Sequence, residues 1–178
     1  MKTMIVLAMH GAPPLDFPPA DLEEFMSLES RMRHLREAGR AVIGRRHAEL
    51  ENKIRNWPRT PLNDPFHAGS QTLAVELRRA SGRRVILGFN EFCAPSLDQA
   101  LDLAAGQGAE KILVVTPMMT RGGGHAESEI PAAVESARAR HPKEKYIYAW
   151  PFRASDVAAF LVSQLNKFAD APARTGRI

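Results

Sequence analysis

The sequence predicts an α/β fold, a four-stranded parallel sheet with helices on both faces and an inserted helical segment. Three observations predict it. Four short apolar runs rich in β-branched residues recur along the chain, at Met4–Met9, Arg84–Phe89, Lys111–Thr116 and Lys145–Trp150. None alternates cleanly between apolar and polar residues, which is how strands buried on both faces of a parallel sheet read. Amphipathic helical patterns separate the last three runs, and strand–helix alternation marks a sheet covered on both sides by right-handed crossovers. Finally, 178 residues, 44% hydrophobic and 25% charged, can bury a core without disulfide or metal staples.

The first strand, Met4–Met9, is followed by the one departure from this rhythm. From Asp21 to Trp57 the apolar positions Leu22, Phe25, Met26, Leu28, Met32 and Leu35, then Val42, Ile43, Leu50 and Ile54, predict one or two amphipathic helices and no strand. Proline-containing runs at Asp16–Ala20 and Trp57–Pro65 bracket this insertion, about residues 16–64, because proline stops a helix. A helix over Ser70–Ser81 carries Leu73, Ala74, Leu77 and Ala80 on one face and ends at Gly82. The next, Ser96–Gln107, opens on Pro95-Ser96 and repeats Leu97, Ala100, Leu101 and Ala104. Ile130–Arg140 has Arg138 and Arg140 in its last turn, where the helix dipole favours cations. A last helix, Ser155–Phe168, has Val157, Ala158, Leu161, Leu165 and Phe168 on its apolar side. Residues 1–170 are expected to form one domain and 171–178 a flexible tail.

Charge and composition narrow the function classes. A net charge of +4 and a pI near 9.6 favour anionic small partners, while scattered basic residues without interleaved aromatics argue against nucleic acid. The lone Cys93 excludes an internal disulfide framework and fits a reducing compartment. The apolar start, Met1 to Met9, is far too short to cross a bilayer and lacks a cleavage site, so a cytoplasmic protein with no membrane partner is expected.

Ligands of open α/β sheets collect beyond the carboxyl ends of the strands. The first strand ends in Met9-His10-Gly11, the second in Phe89-Asn90-Glu91, and the third leads through Met118 and Met119 into Thr120-Arg121-Gly-Gly-Gly-His125. His10, Glu91 and His125 are therefore expected at one rim. Two neutral imidazoles suit borderline divalent metals such as Co, Ni, Fe or Zn, and a carboxylate beside them can ligate or accept protons. Each residue also has a plainer reading: His10 as a hydrogen-bonded turn residue, Glu91 as a solvated loop acid, His125 as the cap of the next helix. The glycines before His125 imply a loop that bends freely or lets a ligand approach. They match neither the dinucleotide fingerprint nor a P-loop, which leaves a phosphate cradle as a weaker alternative. His67, just before a predicted helix, reads as a loop histidine or the edge of the same cleft; Met118 reads as pocket or core, and Cys93 as a small packed residue.

The segments Val6–Gly11, Phe89–Leu101, Gly108–Met119, Gly123-Gly-His-Ala-Glu-Ser-Glu-Ile-Pro-Ala-Ala133 and Ala139–Pro142 resemble the small CbiX-type chelatases. Those enzymes insert cobalt, or in relatives iron or nickel, into sirohydrochlorin-like tetrapyrroles. The resemblance implies a chelatase-like, flavodoxin-like sheet, with His10, His125 and Glu91 catalytic and His10 and His125 holding the metal. It also implies a tetrapyrrole lying against Gly11, Arg121, Gly123, Gly124, Met118 and His67, with Arg121 anchoring a substrate carboxylate. No permanently bound cofactor is implied, the divalent ion (Co2+, Fe2+ or Ni2+) being itself a substrate. Larger chelatases set two such domains across the cleft, which implies a homodimer here unless the inserted helices wall the cleft themselves. The long helical stretch after the His-Gly turn is more like protohaem ferrochelatases, and Thr120-Arg121 stands where relatives are apolar. A metal or tetrapyrrole carrier using the same histidines is the alternative function.

Overall fold

The computed structural model describes residues 1–169; the expected tail at 171–178 lies outside them. Among the described residues the four strands are β1 (Thr3–Met9), β2 (Arg84–Phe89), β3 (Lys111–Val115) and β4 (Lys145–Tyr148). They form one parallel sheet in the order β2-β1-β3-β4, with Val6 set between Ile86 and Val114. The order reverses at β1, which lies between the strands that follow and is buried along almost its whole length. That reversal opens the crevice in which doubly wound sheets bind their ligands.

Because successive strand residues point to opposite faces, the core divides in two. On one face Met4, Val6, Ile112 and Val114 pack against α4 (Leu97–Gly106) and α5 (Ile130–Arg140) through Ala100, Leu101, Ile130 and Val134. On the other, Leu7, Met9 and Phe89 meet α1 (Pro19–His34) and α2 (Glu37–Arg55) through Phe25, Leu28, Leu50 and Ile54, and α3 (Pro65–Ser81) closes over β2. The insertion is thus two helices. They are tied together by Arg46 donating to both oxygens of Glu24 and by His47, which stacks on Phe25 and bonds Glu29 at 2.6 Å.

Three elements stand out against the sequence expectation. Helix α3 starts at Pro65, because Asp64 accepts a hydrogen bond from the His67 amide at 2.8 Å and proline suits the first turn. His67 is consequently helical. A five-residue π-helical turn, His125–Glu129, precedes α5. Helix α6 (Ala154–Asn166) forms as its pattern predicts, yet none of its side chains is buried. No helix among the described residues is long and apolar enough to cross a membrane.

Candidate metal-binding site

His10 lies one residue beyond β1, Glu91 two beyond β2, and His125 at the head of the turn that follows β3. Parallel strands in register end on one side of the sheet, so residues more than a hundred positions apart meet there. One ligand atom from each of His10, Glu91 and His125 lies within 4.8 Å of the other two. Glu91 stands between the imidazoles, 4.0 Å from Nδ1 of His10 and 3.9 Å from Nε2 of His125. The rings meet edge to face with centroids 4.3 Å apart. The side chains are partly exposed, His10 by 43%, Glu91 by 30% and His125 by 20%, so the group faces solvent.

Hydrogen bonds orient both rings. Nδ1 of His125 is 2.6 Å from Oε2 of Glu129, one helical turn on, which fixes the proton on Nδ1 and leaves the Nε2 lone pair facing Glu91. Nδ1 of His10 donates to the Gly11 carbonyl at 2.7 Å, leaving its Nε2 free to accept a proton or a cation. A tetrahedral ion bound at about 2.1 Å spaces its donors about 3.4 Å apart, so the three groups must draw in slightly to share one. Two neutral imidazoles and a carboxylate are a donor set for a borderline divalent ion.

The loops are shaped to this end. Gly11 has φ +105°, and a Cβ there would stand 1.9 Å from the Glu91 carbonyl oxygen, so glycine lets the two loops touch. Its role is close packing. The Glu91 amide donates to the His10 carbonyl and the Asn90 amide to that of Met9, both at 2.9 Å. Across the rim, the Tyr148 hydroxyl donates to the Ala126 carbonyl at 3.0 Å and the Trp150 indole to that of Met118 at 3.1 Å. Burial pushes the Tyr148 pKa up to about 12, which keeps it a donor.

Arg121, Gly123 and Gly124 lie exposed on the loop before His125, where a Cβ at either glycine would meet nothing, and Met118 packs against the α4–α5 core. Arg121 pairs with Glu127 at 3.2 Å and lies over the Trp150 ring. His67 has a different place from the one expected of it. Its ring stacks on Phe89 and lines a separate groove with Val85 and Leu87, away from the three ligating groups, because residues 65–69 continue α3. Glu129 was missed from sequence, although its i,i+4 spacing from His125 was visible. Beside the cluster, a cavity of about 320 Å³ is walled by Phe25, Met26 and Glu29 of α1, Glu51 and Arg55 of α2, and by Glu91 and Glu129. The insertion therefore does form part of the site's wall.

Known proteins resemble parts of this chain. A sirohydrochlorin cobaltochelatase from Priestia megaterium is 31% identical over 70 residues, 39% of this chain and 22% of that protein. A sirohydrochlorin ferrochelatase from the same organism is 28% identical over 80 residues, 44% of this chain and 30% of that protein. The aligned stretches thus span less than a third of either relative. The solved structure of a CbiX protein from Marinobacter aquaeolei VT8 superposes with a TM-score of 0.50 at 18% identity, covering 94% of this chain and 96% of that one, a likeness of fold. The CbiX family model matches residues 66–167, more than half of the sequence and inclusive of Glu91 and His125, and on that match the chain belongs to the CbiX family.

Proposed function

We propose that this protein inserts a divalent metal ion, Co2+ or alternatively Fe2+ or Ni2+, into sirohydrochlorin or a closely related tetrapyrrole. The observation that carries the proposal is the convergence of His10, Glu91 and His125 within 4.8 Å at the crevice of the sheet. Insertion exchanges two pyrrole N–H protons for one M2+, so the site must hold a cation and then accept protons. Neutral imidazoles and an ionised carboxylate do both at neutral pH. In this scheme a ring nitrogen of His10, Nε2 of His125 and a Glu91 oxygen meet the metal, and the same groups receive the displaced protons once the ion has passed into the ring. In this reading the macrocycle covers Gly11, Gly123, Gly124 and Met118, and Arg121 exchanges its exposed pairing with Glu127 for one of the macrocycle's carboxylates. The names of the two Priestia relatives support this substrate class.

The test is turnover. Purified protein mixed with sirohydrochlorin and Co2+ or Fe2+ is expected to accelerate the spectral change of metallation through many equivalents. A shift that stops at one equivalent would instead identify a carrier.

The protein is further proposed to work as a homodimer. Helix α6 leaves Phe160, Leu161, Val162 and Leu165 between 53% and 68% exposed, and Phe168 just beyond it is exposed too, with no charged residue from Val157 to Asn166. A helix with so broad an exposed apolar surface needs a cover. The sheet face beneath α1–α3 also leaves Leu113, Val115 and Ile147 of β3 and β4 only half-buried. Packing α6 of each copy on that face of the other would cover both apolar surfaces at once. Light scattering is expected to give twice the 19.7 kDa chain mass, and a Leu161→Glu, Leu165→Glu variant to run as a folded monomer. Wild-type protein that stays monomeric would remove this part of the proposal.

A further inference from the structure

The insertion carries two arginines that reach the loops of the site, Arg55 at the end of α2 and Arg59 in the segment that follows it. Arg55, in the last turn of α2, donates from Nη1 to the Cys93 carbonyl at 2.9 Å and from Nη2 to the Asn90 carbonyl at 3.0 Å, while its Nε is held by Glu51 at 2.8 Å. Arg59, four residues on, donates to the carbonyls of Phe92 and Ala12 and to that of Ile54, and pairs with Asp64. Arg59 and Asp64 are 6% and 1% exposed. Asn90, Phe92 and Cys93 are neighbours of Glu91, and Ala12 lies two residues from His10. Two guanidinium groups therefore hold four carbonyls of the two loops that present the carboxylate and one imidazole.

Such a hold has something to resist. Phe92 has φ +57°, a left-handed conformation that a bulky side chain adopts only where its surroundings enforce it. The Cys93 amide closes back on the Glu91 carbonyl at 2.6 Å, making a tight turn with Phe92 at its middle. The same carbonyl touches Gly11. Released from its donors, this turn would relax toward ordinary backbone angles and carry Glu91 away from the histidines.

We infer that Arg55 and Arg59 are positioning residues: the helical insertion acts as a clamp that sets Glu91 and His10 at metal-sharing distance. The inference deepens the function proposed above, resting on it for what the loops carry. Neither arginine touches the metal site itself, and each acts through backbone carbonyls. Arginine suits the task because its planar fork reaches two separate carbonyls from two nitrogens in fixed geometry, whereas lysine's donors all sit on one nitrogen.

Arg55 offers the cleaner test, since breaking the buried Arg59–Asp64 pair threatens folding. Arg55→Met keeps the aliphatic stem and removes every donor. In that variant the amides of Glu91, Phe92 and Cys93 are expected to exchange with solvent at least tenfold faster, with the amides of β1 and β3 unchanged. Co2+ affinity, followed by the visible absorption of the bound ion, is expected to fall about tenfold, the scale for losing the support behind a metal ligand. Arg55→Lys is expected to recover part of both. Unchanged exchange at residues 91–93 in Arg55→Met overturns the clamp, as does faster exchange with an unchanged Co2+ spectrum and affinity. Failure of the wild-type protein to bind Co2+ overturns the metal-site reading instead, and the exchange measurement then decides whether the arginines still lock the loop.

Discussion

The two sides of the site rim are built by opposite means. On the insertion side, the loops after β1 and β2 are bonded to each other, packed glycine to carbonyl, and held from below by Arg55 and Arg59. On the other side, residues 120–124 are largely exposed, rich in glycine, and tied by the surface pair Arg121–Glu127 and by the Gly122 amide on Glu127 at 2.9 Å. Exposed pairs of this kind add little stability, and such loops open readily. The donors stand up to 4.8 Å apart, farther than one ion's ligands, so some movement must accompany binding. The construction assigns that movement to His125. Under the proposed function, a held carboxylate beside an adjustable imidazole would let the site grip an ion and later release it into a ring.

His125→Ala gives the largest effect if this contrast is right. Metallation is expected to fall at least about 100-fold, the scale of a lost proton acceptor, with melting nearly unchanged because the loop contributes little core. Near-normal rates in that variant would break the assignment of the adjustable side. The glycines test the contrast directly. Gly11→Ala forces a Cβ against the Glu91 carbonyl at φ +105° and is expected to cost about 2–4 kcal/mol in denaturant unfolding. Gly124→Ala, whose Cβ would meet nothing, is expected to change stability by less than about 0.5 kcal/mol. Equal costs would erase the distinction between the sides.

Glu129 sharpens it further. Its carboxylate is the fixed point from which the His125 ring is aimed. Glu129→Ala is expected to weaken Co2+ binding about tenfold, and Glu129→Gln, which still accepts from Nδ1–H, to recover part of it. Indifference to both would mean that the ring finds its orientation without help.

Much of this was legible in the sequence, for identifiable reasons. The parallel sheet and the meeting of His10, Glu91 and His125 at one rim follow from apolar runs that lead into these residues, because parallel strands end on one side of the sheet, whereas the strand order was not legible. The start of α3 escaped notice although Asp64-Pro65 is a strong helix entry; proline was taken as a breaker where it is an N-terminal residue. That error put His67 in a loop. The clamp was beyond reach, since nothing local tells Arg55 or Arg59 from the other arginines of an exposed-looking helical segment, and their partners lie 33 to 47 residues away. Helix α6 shows the converse limit: its apolar pattern predicts the helix correctly and says nothing about what covers it.

His67 supplies the smallest effect, and one confined to the held side. Burial lowers its pKa from the usual 6.5, opposed by the charge of Asp64 and aided by that of Arg59, and its ring lies flat on Phe89, the last residue of β2. The folded protein therefore takes up fewer protons than the unfolded chain as pH falls below about 6.5. Stability contributed by the neutral ring is present above that value and is lost progressively beneath it. Unfolding midpoints measured from pH 7.5 to 5 are expected to decline, and His67→Gln to flatten that part of the curve. Hydrogen exchange over the same range is expected to rise along α3 and β2 while residues 118–125 stay as they were. Acid loosening that began at residues 118–125 and left α3 and β2 protected would instead trace the pH dependence to a group on the adjustable side and remove His67 as its source.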